Sequence, residues 1–489
     1  ASLDDLGLPE SGDGKSDVLE EAKWEADFLV KMQDKDGGFY FLVYPRDREY
    51  ENDVLPDKGD PQVVFPKTTS VTAAATAALA QCASSPVFKR EFPDAAARYL
   101  SAARKGWDFL EKAIQKYGKD GSYQKITHYG NEFMHDDELA WAACELFLAT
   151  GDDAFHKKVI DWLKPSDPET RRWGWWRLYD SYGCAIRSYA FAARTGRLKR
   201  EQLNEFLLED CEKEIASAGE DQLRRARDSA YGTSFPTETK RALSAGWYFS
   251  SDAAFDLAVA CQLDFPVNRD PRQDMMEALV SNLNYEQGCN PVDVTYLTGL
   301  GWHRQREIVD QFALNDRRIL PPTGIPLGNV QAGFGWNYLY QSEPDKLMIP
   351  LTSTDTAPYP FYDRWGDGFN LSQEFVIVNQ ARGLAYTSWL MAQTPLKGQS
   401  WRAANAIISE QTSGKAPHRS VSMSLSSAGL DLREARIVWE AEGQEPRMEA
   451  NFTAPEPACH WVEAEAQMPD GRRIFAVKEN ADRTANAAK

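Results

Sequence analysis

The chain has 489 residues, 43% apolar and 26% charged, the balance of a globular protein long enough for one large domain and an accessory. Its net charge of −18 repels phosphate backbones and anionic lipid, which argues against nucleic acid and membrane surfaces as partners. No run approaches the roughly 18–20 apolar residues that a membrane-crossing helix needs.

In chain order, residues 1–16 are a polar loop without a charged or apolar leader pattern. From Ser16 the spacing of Val18, Ala22, Trp24, Phe28, Leu29 and Met32 predicts an amphipathic helix that stops at the Asp34–Gly38 turn. FYFLVY, residues 39–44, reads as a short strand, and 45–67 as a charged loop. The Ala-rich stretch 70–83 predicts a helix that neighbours can approach closely, and further helices are expected at 93–117 and 136–150. The same patterns recur at 154–163, 178–195, 200–217, 251–263, 271–287 and 372–393. About ten helices with little alternating pattern before residue 400 suggest paired helices in a ring or bundle.

After Leu396 the periodicity changes. VSMSLSS, RIVWEA, HWVEAEAQ and RRIFAVKE alternate and are separated by turn residues, as in a small antiparallel sandwich. Residues 1–400 are therefore read as the helical domain and 401–489 as an all-β accessory, with the linker inside 396–418. Trp439 and Trp461 are expected in the core of that accessory. The seven cysteines are scattered and are read as buried free thiols.

The sequence has no P-loop, no GxGxxG after a strand, no HExxH and no GxSxG. Six histidines are too dispersed for a dense metal cluster; His128 and His135 beside Asp136, Asp137 and Glu138 read first as a helix start, with a calcium or zinc site as the alternative. What remains is carboxylates among loop-borne aromatics, the raw material of glycoside hydrolysis. That chemistry needs one carboxylic acid to protonate the leaving oxygen and a second carboxylate to activate water. Glu374 is the best candidate acid, because it stands between the aromatic loop APYPFYDRWGDGFN and the apolar run EFVIVNQARGLAYTSWL. Partial desolvation there would keep it protonated, whereas a plain first-turn Glu would be pulled the other way by the helix dipole.

Five segments, in order, carry a family resemblance: LPESGDGKSDVLEEAKWEADFLVKMQDKDGGFY, FPKTTSVTAAATAALAQCA, DDELAWAACELFLATGD, NPVDVTYLTGLGWHRQR and FYDRWGDGFNLSQEFVIVNQA. They resemble glycoside hydrolase family 9, the inverting cellulases with an (α/α)6 barrel, over residues 8–395. The resemblance implies a mostly α protein whose barrel lacks its first helices in these residues, followed by an immunoglobulin-like sandwich. It implies β-1,4-glucan or a related oligosaccharide as substrate and Glu374 as general acid. His303 with Arg304 or Arg306 would hold sugar hydroxyls, and Asp363 would support them. Trp302, Trp247, Trp365 and Tyr362 would line the sugar trough. No cofactor is required, a structural calcium ion is compatible, and a secreted or periplasmic setting follows from the family.

The chain departs from the family pattern in three places. WHRQR replaces the usual His-Pro-His-His-Arg. Asn379-Gln380 replaces a Tyr-Asn pair, and the interval from Asp363 to Glu374 is longer than usual. The Asp-Ala-Gly-Asp motif that supplies the base is not found in these residues. The expectation is that the base comes from an upstream segment or a partner chain; a non-catalytic glycan-binding protein or a half-barrel subunit is the alternative.

Overall fold

The computed structural model describes residue 4 and residues 12–46, 61–119, 136–167, 177–234 except 179, 250–290 except 267 and 269, 295–297, 348–349, 362–363, 377–393, 406–414, 420–441, 444, 447–455, 461–469 and 473–479. Helix α1 (Asp17–Lys31) leads into a short antiparallel pair, β1 (Val43–Pro45) with β2 (Gln62–Val64). Helix α2 (Thr69–Ser84) starts at Thr68, whose side chain accepts a hydrogen bond from Val71 N, a common way to satisfy an orphan helical N–H.

A short helix, α3 (Pro86–Glu91), follows at once; Ser85 caps it and Pro86 fixes its first turn. It was not expected from the sequence, because six residues are too few to show a period. Then come α4 (Pro93–Tyr117), α5 (Asp136–Thr150), α6 (Asp153–Trp162), α7 (Ser181–Phe191), α8 (Glu205–Asp228), α9 (Ser250–Ala260), α10 (Arg272–Glu286) and α11 (Ile377–Gln393).

The expected helix at 200–217 is displaced. Residues 200–202 form a single 3-10 turn, and α8 begins only after Asn204, whose side chain accepts from Leu207 N. Asn competes with helical backbone bonding and favours the cap over the interior.

The helices form two layers. Helices α2, α5, α7, α9 and α11 make the inner layer, and α4, α6, α8 and α10 pack outside them. Small residues set the spacing. Ala73, Ala75, Ala77, Ala80 and Ala83 of α2 are all buried. A Cβ on Gly106 of α4 would sit 2.2 Å from Thr76 Oγ1, and one on Gly219 of α8 would sit 2.5 Å from the Ala260 Cβ of α9. Trp107 then closes the α4–α6 contact, with its ring 5.3 Å from Phe155 and 6.2 Å from Trp162.

The inner helices run in one direction. At one end, Ser70 of α2 donates to Glu138 of α5 at 3.3 Å, and the Ser181 N–H that opens α7 donates to Asp137 at 3.1 Å. At the other end, Gln81 of α2 donates to Ser188 of α7 at 3.3 Å. There Arg187 of α7 also pairs with Asp256 of α9 at 2.7 Å, and the C-terminal halves of α2, α7, α9 and α11 line one common cavity, which gives the four the same direction. This is the architecture expected of an (α/α)6 barrel.

Residues 406–479 carry a separate apolar cluster. Two three-stranded antiparallel sheets contribute: β5 (Ala406–Ser413), β6 (Ser420–Ser427) and β8 (Asn451–Pro455) in the order β5-β6-β8, and β7 (Arg436–Ala441), β9 (Trp461–Gln467) and β10 (Arg473–Glu479) in the order β10-β9-β7. β5 lies in the stretch read as linker; its exposed polar residues Ser409–Ser413 hide the alternation there. Trp439 and Trp461 are buried, as expected. Of the cysteines in the described residues, Cys144, Cys211 and Cys261 are buried but Cys289 is exposed, which corrects the uniform expectation; Cys459 lies outside them.

Candidate active site

Because the inner helices are parallel, their N-terminal ends share one side of the ring. There α5 opens with three consecutive acids, Asp136, Asp137 and Glu138, where the positive helix end favours negative charge. The first two meet the start of α7 and the third meets the start of α2. Asp136 accepts from the Tyr182 hydroxyl at 2.6 Å, Asp137 from Ser181 N, and Glu138 from Ser70.

Glu138 differs from the other two. Burial, then the charge and hydrogen bond of Asp137, push its carboxyl well above the usual range. Its Oε2 is buried without a hydrogen-bond partner among the described residues. The site thus holds a carboxyl biased toward its protonated form beside hydroxyls on two neighbouring helices. Such a group can donate a proton or a hydrogen bond to an oxygen brought to it.

Of the residues singled out in the sequence, Trp247, Trp302, His303, Arg304, Arg306, Trp365 and Glu374 lie outside the described residues. Tyr362 and Asp363 are described in backbone only: they form a two-residue strand paired antiparallel with Met348–Ile349, Asp363 opposite Met348 and Tyr362 opposite Ile349. In sequence, Trp247 stands three residues before α9 and Glu374 three residues before α11.

Sequence reasoning took Asp136–Glu138 first as a helix start, with a calcium or zinc site as the alternative, and gave Glu138 no acid role. The missing signal was Ser70, whose contact with Glu138 spans 68 residues of chain. Among the described residues no group of three or more His, Cys, Asp or Glu is arranged to hold a metal ion.

The opposite end of the ring is apolar. A pocket of about 540 Å³ lies between the C-terminal halves of α2, α7, α9 and α11, with Phe191, Phe255, Tyr386 and Trp389 among its walls. Its charged neighbours are already paired: Arg187 with Asp256, and Arg197 with the fully buried Glu145 at 3.1 Å. Among the described residues its lining holds no carboxylate, and it lies at the far ends of the helices from Glu138.

The sequence profile of Glycosyl hydrolase family 9 matches residues 7–334, a span that ends before Glu374. A cellulose 1,4-beta-cellobiosidase of Acetivibrio thermocellus is 23% identical over 389 residues, covering 74% of this chain and 41% of the relative. A xyloglucan-specific endo-beta-1,4-glucanase of Bacteroides ovatus is 25% identical over 365 residues, covering 72% of this chain and 57% of the relative. The chain thus spans well under two thirds of either curated relative. A solved family 9 structure from Bacteroides ovatus superposes with a TM-score of 0.59 at 20% identity, covering 80% of this chain and 66% of that one, a likeness of fold. More than half of the chain matches the profile, and the helices pack as the matched fold requires: the chain belongs to glycosyl hydrolase family 9.

Proposed function

We propose that this protein is an inverting hydrolase of β-1,4-linked glucan or a related oligosaccharide, with Glu374 as general acid. The observation that carries the reading is the common direction of the inner helices. The segments that precede α9 and α11 in the chain hold Trp247, His303, Arg304, Arg306, Trp302, Tyr362, Asp363, Trp365 and Glu374. Three residues of chain reach no more than about 11 Å, so a short tether links Glu374 to the start of α11. That start belongs to the same end of the ring as the Asp136–Glu138 cluster.

In this reading Glu374 protonates the leaving oxygen, and a carboxylate across the scissile bond activates water in a single displacement. Asp363 with His303, Arg304 or Arg306 fixes sugar hydroxyls, and the tryptophans stack on sugar faces. The names of the relatives, a cellobiosidase and a xyloglucan endo-glucanase, favour a β-1,4-glucan backbone. A polymeric substrate of that kind also favours action outside the cell.

Residues 1–489 contain no Asp-Ala-Gly-Asp motif, so we assign the base to an upstream segment or a partner chain. Two features support an added element: Trp24 and Phe28, one turn apart on α1, are exposed, and so is Leu384 on α11. The same sequence observation favours a second reading, a glycan-binding protein that never hydrolyses.

Product analysis on cello-oligosaccharides separates the two, using the protein with its flanking coding sequence. Hydrolysis that inverts the anomeric centre and collapses in Glu374→Gln supports the enzyme. Saturable binding without any product supports the binding protein.

A further inference from the structure

Away from the acid cluster, three helices meet at one tyrosine hydroxyl and a fourth stacks behind it. Tyr189 of α7 is fully buried, and its hydroxyl accepts a hydrogen bond from Asn204 N, the cap residue of α8, at 2.7 Å. The same hydroxyl lies 2.8 Å from His156 Nε2 on α6. The imidazole in turn stacks on Phe147 of α5, with ring centroids 4.0 Å apart and planes within 2°.

The direction of the second bond follows from counting protons. A phenol has one proton to give, and Tyr189 keeps it, because burial pushes its ionisation far up. Its oxygen already receives the Asn204 N–H, so its own proton is best placed on the Nε2 lone pair. His156 is then the neutral tautomer with its hydrogen on Nδ1, an assignment made from the network.

Protonation reverses this arrangement. An Nε2–H would point at an oxygen that must then accept twice, and the buried phenolic proton would lose its acceptor. The face of Phe147 attracts a cation only weakly, whereas a buried donor without a partner is costly. The ring is only half-buried, so water can deliver the proton.

We propose that the His156–Tyr189–Asn204 junction is an acid-sensitive latch, which ties α6 and the start of α8 to α5 and α7 at neutral pH and loosens when His156 takes a proton. Among the described residues no carboxylate forms an ion pair with His156. Among the described residues, the titratable groups acting on the pair are Asp153 on α6, Cys144 on α5 and Cys211 on α8. Both thiols are held neutral by burial, and Asp153 supports the cation less than burial opposes it, so the histidine titrates below its ordinary value. The linkage sign follows. The unfolded chain binds the proton at higher pH than the folded one, so this stabilisation is complete above the ordinary histidine value and is lost as pH falls from there through the lowered folded-state value.

The test is amide hydrogen exchange at Asn204, corrected for intrinsic rate, at pH 7.5 and 5.5. It is run in the wild type, in His156→Gln, which keeps an acceptor for the phenol but does not titrate, and in Tyr189→Phe. We expect protection at Asn204 to fall about tenfold on acidification in the wild type and by less than twofold in His156→Gln, with Tyr189→Phe poorly protected at both pH values. Equal pH dependence in wild type and His156→Gln, or no dependence in the wild type, overturns the latch. The readout does not depend on hydrolysis, so a failure here and a failure of the proposed catalytic function are told apart.

Discussion

The two ends of the inner helices are built from the same elements and differ in what they leave unfinished. At the N-terminal end, Glu138 has a buried oxygen with no partner among the described residues, and Asp137 raises the cost of ionising it. At the C-terminal end, Arg187 and Arg197 are paired with Asp256 and Glu145, and what is left open is apolar volume. An unpaired polar group is expensive to keep without a use, whereas a paired network is structural bookkeeping. The contrast points chemistry to one end and cohesion to the other.

Four substitutions probe that division. Glu374→Gln should lower turnover on cello-oligosaccharides by about 10²–10⁴-fold, the usual contribution of a general acid, with an unchanged melting curve. Turnover at the wild-type rate would remove Glu374 from the mechanism. Arg197→Met, at the other end, strands Glu145 uncompensated. It should cost about 3–5 kcal/mol in denaturant unfolding while leaving kcat of the folded fraction alone.

Glu138→Gln should act through pH. The folded state holds the Glu138 proton more tightly than the unfolded chain does. Its contribution is therefore present at acid pH and is lost as pH rises through the raised value. The Gln variant should gain stability over the wild type toward neutral pH, and parallel stability–pH curves would show that Glu138 is not strained. The smallest effect is expected from Ala385→Leu, which adds apolar atoms at the pocket wall. Stability should shift by no more than about 1 kcal/mol and kcat should not move. A large loss of activity would mean that the two ends are coupled.

Some of this was legible from the residues alone. The Ala-rich period of α2 announced a closely packed helix, and Gly106 of α4 met it with a backbone close enough to leave no room for a Cβ. The alternation in RIVWEA predicted a strand with Trp439 inside. These features depend on neighbours in sequence, and periodicity reports them directly. β5 was missed because its outward face is polar enough to look like linker, and α8 starts late because Asn204 prefers the cap.

By itself, then, the sequence determined the helical class, the change to β structure after residue 400, and the resemblance that names Glu374. Only the tertiary structure decided that Ser70, Asp137, Glu138 and Ser181 share one end of the ring, and that His156 shares a proton with Tyr189. Those contacts join residues 33 to 68 positions apart. No local pattern encodes them, because they arise only when parallel helices pack side by side. The same packing strips water from Glu138 and from Tyr189, and the loss of that water sets their ionisation.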